Sequence, residues 1–285
     1  MNFAALVFHL VPKNLVSWIT GCFARIKSPK PFSRMLRRVF AAMFKLNMDE
    51  AELAIDDYAS IEDLFTRRLK PGLRPLSGKV CSPADGFLAR SAPAIAGQGI
   101  QAKGLDYVLS EFVYGPKDVR ADFEAAWYQT VYLAPHNYHR VHAPFSGELR
   151  AIRYVPGQLW PVNVPFVARI PRLFSRNERL SFEFELSSGG RAFAVMVGAF
   201  NVGRMTTPLA PDLITNDLSR QLGASPRVTA FEPPRPVTQG DELGTFLLGS
   251  TVVLVYDKRG LQGLGIPLVQ AEGNAPILMG HSLCE

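Results

Sequence analysis

From Lys70 onward the apolar residues stop recurring at helical spacing and fall into short runs with the period of a strand. Leu180-Ser-Phe-Glu-Phe-Glu-Leu186 alternates strictly, Ala192–Val197 is nearly continuous in apolar residues, and Thr251–Tyr256 is apolar and β-branched. Runs this short cannot bury a helix face but fill a strand, and the β-branched side chains favour a pleated surface. The 22 prolines and 23 glycines are spread along the chain, which suits many short elements joined by turns. Helix is expected here only over Leu105–Phe112 and for a turn or two near Leu209–Leu218. Ser82-Pro-Ala-Asp-Gly-Phe-Leu88 and Ala143-Pro-Phe-Ser-Gly-Glu-Leu149 share a small-Pro-x-x-Gly-x-Leu pattern, which reads as a short duplicated strand-turn unit.

The first 69 residues read differently. Pro12 can open a helix in which Leu15, Ile19, Phe23 and Ile26 form an apolar row. After the breaker Ser28-Pro-Lys-Pro31, a second row runs Met35, Val39, Ala42, Met43 and Leu46. Ser60-Ile-Glu-Asp63 resembles a capping box, with Asp in place of Glu or Gln, and should start a third helix. Residues 1–48 hold eight Lys or Arg and no acidic residue, interleaved with aromatics such as Phe3, Phe8, Trp18 and Phe40. Such a segment suits an anionic membrane surface, where each nearby basic side chain contributes about 1 kcal/mol. Nucleic acid is the competing partner, and helices that only cap the body are the structural alternative. No uncharged stretch reaches the roughly 18 residues of a membrane-crossing helix, so peripheral attachment is expected. With 285 residues and 47% hydrophobic content, the chain can hold a helical module over 1–69 and a β-rich domain over 70–285. Cys22, Cys81 and Cys284 lack metal-type spacing and suggest no disulfide framework, which fits a reducing cytoplasm.

Chemistry is most concentrated in Phe246-Leu-Leu-Gly-Ser-Thr-Val-Val-Leu-Val-Tyr256, where a small polar triplet interrupts an apolar strand. A glycine there can be a simple bulge. Alternatively, Gly249 lets the Ser250 hydroxyl reach the carbonyl of the residue before it. A serine needs a base to become a nucleophile at neutral pH. Of five histidines in the chain, His136, His139 and His142 lie within one stretch of seven residues. On a strand, 136 and 142 share a face while 139 points away, and a zinc site is the rival use of such a cluster. Asp85, in Ser82-Pro-Ala-Asp-Gly86, is a candidate to orient the base, although Asp before Gly is also an ordinary turn former.

Together these segments resemble the pyruvoyl-dependent phosphatidylserine decarboxylases. The similarity runs through Phe65-Thr-Arg-Arg-Leu-Lys-Pro-Gly-Leu-Arg-Pro75, Ser82–Gly86, Lys103-Gly with Tyr107, Tyr138-His-Arg-Val-His142, and Pro156-Gly-Gln-Leu with Val162-Asn163. It continues through Asn177-Glu-Arg179, Val197-Gly-Ala with Val202-Gly203, Gly240-Asp-Glu-Leu-Gly244 and Leu248-Gly-Ser-Thr251. The resemblance implies a self-cleaving proenzyme in which Asp85, His142 and Ser250 form a charge-relay triad. The Ser250 hydroxyl attacks the Gly249 carbonyl, and the chain divides into a 1–249 β chain and a 250–285 α chain headed by a pyruvoyl group. That group would form a Schiff base with phosphatidylserine and release carbon dioxide and phosphatidylethanolamine, with His139 assisting decarboxylation and protonation. No metal or external cofactor is implied. The family also implies an α+β fold, with amphipathic helices on antiparallel, barrel-sandwich-like sheets. The α and β chains would stay paired, the pairs would form homodimers, and the enzyme would sit on the cytoplasmic side of the inner membrane without binding nucleic acid. The competing readings are a histidine-based metallohydrolase and a non-catalytic membrane scaffold.

Overall fold

The computed structural model describes residues 10–102, 105–116, 121–162, 164–201, 204–217, 225–247, 251–265 and 267–284. Three helices lead: α1 (Lys13–Ala24), α2 (Lys30–Phe44) and α3 (Ile61–Phe65). Pro12 occupies the N-cap of α1, and Ser60 caps α3 by accepting the Asp63 N–H at 3.2 Å. The Asp63 carboxylate reaches back to the N–H of Ala59 at 2.8 Å, so the expected box closes one residue early.

The first two helices dock by their small and polar residues, whereas α3 buries Ile61, Leu64 and Phe65. Lys13, Ser17, Gly21 and Ala24 are the buried residues of α1, and Ser33, Arg37 and Ala41 those of α2. The Ser17 hydroxyl accepts the Asn201 N–H at 2.9 Å, and Asn14 donates to the Gly157 carbonyl at 3.1 Å. Arg37 spreads its guanidinium over the Ser33 hydroxyl and the carbonyls of Ile55, Asp56 and Ala59. The apolar rows are left outside: Leu15, Ile19, Phe23, Met35, Val39 and Met43 are exposed, Met43 by 67%. Large apolar side chains in contiguous rows on a surface mark an interaction face.

The body contains thirteen described strands: β1 (Gly86–Pro93), β2 (Gln98–Ala102), β3 (Leu105–Val108), β4 (Trp127–Tyr132), β5 (Arg140–His142), β6 (Gly147–Val155), β7 (Arg179–Glu185), β8 (Arg191–Val197), β9 (Met205–Thr206), β10 (Arg227–Val237), β11 (Glu242–Phe246), β12 (Thr251–Tyr256) and β13 (Ala271–Ile277). Among the described residues four short α-helices accompany them: α4 (Leu109–Tyr114), α5 (Val164–Val167), α6 (Leu173–Arg176) and α7 (Lys258–Leu264). One eight-stranded sheet has the order β10-β6-β7-β8-β12-β4-β1-β13, a second sheet β5-β11-β9, and β2 pairs with β3. Neighbouring strands run antiparallel in every described pair. The large sheet does not close on itself, so the expected α+β class holds while its barrel-like aspect takes the form of an open sheet.

The central strands explain the continuous apolar runs. Val252, Leu254 and Tyr256 of β12 enter one core cluster and Val253 and Val255 the other, and β8 divides its residues in the same way. A strand covered on both faces loses the alternation of a half-buried one. β7 keeps its alternation although neither face is solvated. Its Arg179 is 1% exposed and donates to the carbonyls of Glu111, Phe112, Ser175 and Asn177, and burial lowers its pKa to about 9. Two helical expectations need correction. Leu105–Val108 is strand, with helix only from Leu109, because Tyr107 buries its ring opposite Gly99, where a side chain would crowd it at 3.1 Å. Residues 209–217 form turns rather than helix, and Leu218 lies outside the described residues.

Candidate active site

Three sequence segments are stitched together at one end of the large sheet. The His142 N–H donates to the Pro83 carbonyl at 2.8 Å, tying the histidine strand to the turn that carries Asp85. β5 pairs with β11, His142 standing opposite Glu242 and Arg140 opposite Thr245, and the Phe246 N–H donates to the His139 carbonyl at 3.0 Å. The chain leaves this small sheet at Leu247, whose N–H donates to the Arg204 carbonyl at 2.9 Å, and enters the large one at Thr251. Gly249 and Ser250 lie outside the described residues. Their flanks are fixed: Thr251 stands opposite Tyr132, which on its other side stands opposite Phe87. The segments that follow Asp85 and Ser250 therefore enter the sheet at the same end, one strand apart. Gly86 makes this entry possible, since a Cβ there would lie 2.3 Å from the Tyr132 carbonyl oxygen.

The two histidines differ in surroundings. His142 Nδ1 is 2.8 Å from the Gly240 carbonyl, which can only accept, so Nδ1 carries the proton and Nε2 offers its lone pair. The Tyr138 hydroxyl donates to that Nε2 at 3.0 Å. Burial lowers the pKa of His142, partly offset by the Gly240 hydrogen bond and by the fields of Glu242 and Asp85. The imidazole is thus a neutral base of fixed tautomer. His139 is 0% exposed and stacks on Phe65 at 3.9 Å, and its ring nitrogens have only the poorly aligned backbone carbonyls of Ala134 and Pro135 nearby among the described residues. Burial, reinforced by the positive charge of Arg67, pushes its pKa down to about 3. Arg67, itself buried, clamps the loop before His139 by donating to the His136 carbonyl at 3.0 Å. His136 is exposed, so the three histidines do not converge. Among the described residues no three His, Cys, Asp or Glu side chains gather as a metal-binding group.

Asp85 is 4% exposed and lies in a tight bidentate pair with Arg74, at 2.9 and 2.6 Å, and it also accepts the Met279 N–H at 2.9 Å. Arg74 bonds Glu50 as well, at 2.7 Å, and these carboxylates hold it firmly protonated. Asp85 and His142 share no hydrogen bond, and the group orienting Nδ1 is the Gly240 carbonyl. Composition and spacing pointed to Asp85 and the histidines but assigned no task to Arg67, Arg74, Tyr138 or Gly240. Their only signal was membership in the matching stretches Phe65–Pro75, Tyr138–His142 and Gly240–Gly244. Beside Thr251 the other face of the sheet opens into a cavity of about 510 Å³, walled by residues that include Phe87, Tyr132, Val162 and Phe174.

An antiparallel body that gathers a neutral histidine of fixed tautomer, a buried carboxylate–guanidinium pair and a glycine-bounded strand entry at one end of a sheet suits an enzyme, and comparison with known proteins places it among the decarboxylases, which are lyases. The chain belongs to the phosphatidylserine decarboxylase family, whose sequence pattern matches residues 61–284. A phosphatidylserine decarboxylase proenzyme of Anaeromyxobacter sp. (strain K) is 39% identical over 252 residues, covering 87% of each chain. That of Bordetella pertussis is 37% identical over 282 residues, covering 96% of this chain and 91% of its own, and that of Myxococcus xanthus is 33% identical over 256 residues, covering 89% of each.

Proposed function

We propose that this chain is a proenzyme that cuts itself between Gly249 and Ser250 and, with a pyruvoyl group derived from Ser250, decarboxylates phosphatidylserine. The observation that carries the reading is the convergence of the Asp85 turn, the His139–His142 strand and the two flanks of residues 248–250 at one end of the sheet, with the His142 Nε2 lone pair fixed there. In the proposed cleavage, His142 Nε2 takes the Ser250 hydroxyl proton as the oxygen attacks the Gly249 carbonyl. The peptide C–N bond breaks as the ester forms, and the proton passes to the freed amine. Loss of the Ser250 Cα proton then expels the Gly249 carboxylate. The dehydroalanine left behind tautomerises to an imine, and water adds across the C=N bond and displaces ammonia to leave the pyruvoyl ketone.

Burial lowers the proton affinity of His142, and Asp85 helps the base only through space, adding to the Gly240 hydrogen bond and the larger field of Glu242 that partly offset that burial. The residues around position 250 suit a small ketone. Thr251 Oγ1 is buried and has no partner among the described residues, the adjoining cavity wall is mostly apolar, and His139 is neutral. Once formed, the group supplies an electron sink for the bond that breaks as carbon dioxide leaves, as other carbonyl cofactors do. His139 would hold or hand on a proton as a neutral imidazole, kept so by burial and, next, by Arg67. The exposed apolar rows of α1 and α2, with their basic neighbours, would rest on an anionic bilayer; among the described residues no helix is long and apolar enough to cross one.

Intact mass spectrometry and a carbon dioxide assay on phosphatidylserine micelles test the reading. Wild type is expected as two chains split after Gly249, and Ser250→Ala as one inactive chain. Wild type that stays whole yet releases carbon dioxide overturns the cleavage chemistry, and two chains with no release overturn the substrate.

A further inference from the structure

The cavity beside Thr251 contains a cation that the cleavage chemistry does not use. β1 pairs regularly with β13 and β4 up to Leu88, and the register then shifts in both ladders before resuming at Arg90. Against β4 the extra residue is Ala89, whereas against β13 it lies on β13. Leu88 points into the core on the far face of the sheet, whereas Ala89 and Arg90 both line the cavity. Without the bulge, Arg90 would follow Leu88 to the opposite face. Bulges beside functional sites re-aim a side chain in this way.

Arg90 is the only cationic residue among the described lining residues, and Glu272 the only acidic one. Arg90 Nη1 lies 3.1 Å from Glu272 Oε1, but the Glu272 side chain is 80% exposed and that of Arg90 20%. A rim carboxylate this exposed is a weak partner. Arg90 Nε is buried with no acceptor among the described residues, and the Tyr128 hydroxyl is a further polar neighbour of the guanidinium. An arginine that is the one cation among the described residues of a mostly apolar cavity, and whose carboxylate partner is largely solvated, can receive an anion there.

The register gives the distance to the reacting end. Arg90 stands opposite Thr130, Thr130 opposite Val253, and Val253 follows Thr251 by two residues. Two strand spacings and two residues of rise separate the Arg90 and Thr251 backbones by about 12 Å. An extended arginine side chain and a phosphoserine group together span such a gap. Resting on the function proposed above, we infer that Arg90 anchors the phosphodiester of the phospholipid head group while the serine amine reaches position 250. The leaving carboxylate is the poorer candidate, because a charge-assisted bond to it would stabilise the ground state more than the transition state.

The test is isothermal titration of matured wild type, Arg90→Gln and Arg90→Lys with glycerophosphoethanolamine, ethanolamine and inorganic phosphate, beside KM for phosphatidylserine in mixed micelles. Wild type should bind glycerophosphoethanolamine at least tenfold more tightly than ethanolamine or phosphate alone. Arg90→Gln should lose that advantage and raise KM at least tenfold, with Arg90→Lys intermediate. Equal binding of ethanolamine and glycerophosphoethanolamine by wild type overturns the inference even if a variant fails to fold. So does inorganic phosphate binding as tightly as the head group, or an unchanged Arg90→Gln. Wild type that releases no carbon dioxide from phosphatidylserine refutes the functional reading instead.

Discussion

Replacing His139 with Phe should make the protein more tolerant of acid. In the folded chain the ring is fully buried and its pKa is lowered to about 3 from 6.5, first by desolvation and then by Arg67. The unfolded chain therefore binds a proton at His139 before the folded chain does, so stability is full above about pH 6.5 and falls as pH drops toward 3. At pH 5 the loss relative to neutral pH is about 2 kcal/mol, and it approaches about 5 kcal/mol below the folded pKa. A phenylalanine keeps the stack on Phe65 and removes the titration. The assay is urea unfolding at pH 5, 6 and 7.5 in a Ser250→Ala background, which keeps the protein in one piece. The stability difference between pH 7.5 and pH 5 should shrink by about 2 kcal/mol in His139→Phe. Curves for the two proteins that run parallel over this range would refute the claim that His139 is held neutral by burial. His142 and the buried carboxyl groups titrate in both proteins and cancel in the comparison.

Breaking the Arg74–Asp85 pair by Arg74→Met should cost about 3–5 kcal/mol, because it leaves a buried carboxylate uncompensated. In a double-mutant cycle with Asp85→Asn, measured by urea unfolding, the losses should fall short of additive by more than about 1 kcal/mol; additivity within about 0.5 kcal/mol would show the two side chains to be independent. Tyr138→Phe releases the His142 Nε2 lone pair, so the half-time of chain cleavage followed on denaturing gels should not lengthen, whereas His142→Gln should leave one chain. A tenfold slowing by Tyr138→Phe would place the tyrosine hydroxyl in the proton path. Ile19→Ser combined with Met43→Ser should weaken co-sedimentation with phosphatidylserine-containing vesicles at least tenfold, since burying each such side chain is worth about 1.5–3 kcal/mol. Unchanged vesicle binding would move the membrane face elsewhere.

The strand body was legible because β8 and β12 carry their burial in composition: a strand packed on both faces needs apolar residues at nearly every position. The same logic misjudges β3, where Leu105–Val108 looks helical until Gly99 is seen clearing space for Tyr107 across the ladder, a long-range fact that no local window holds. The helical rows of residues 15–46 were legible as amphipathic, but period alone does not say which face meets the protein. That is decided by partners such as Asn201 for Ser17 and the carbonyls of Ile55 and Ala59 for Arg37. Asp85, His139 and His142 stood out by residue type. The groups that set their behaviour did not, because Gly240 acts through a backbone carbonyl and Arg67 and Arg74 act through burial.

The placement of the proposed scission also bears on what holds the products together. Cutting between Gly249 and Ser250 severs the link between β11, in the small sheet, and β12, at the centre of the large one. No described ladder hydrogen bond spans that link, since β11 pairs with β5 and β9 while β12 pairs with β4 and β8. The 250–285 piece would keep a fully buried strand hydrogen-bonded on both edges and a second strand, β13, laid along β1. Extracting it would expose Val252, Leu254 and Tyr256 on one side and Val253 and Val255 on the other, at about 1.5–3 kcal/mol for each large apolar side chain. The proposed cleavage would therefore free a chain end for chemistry without loosening the fold around it, and the small fragment would need no covalent tether to stay in place.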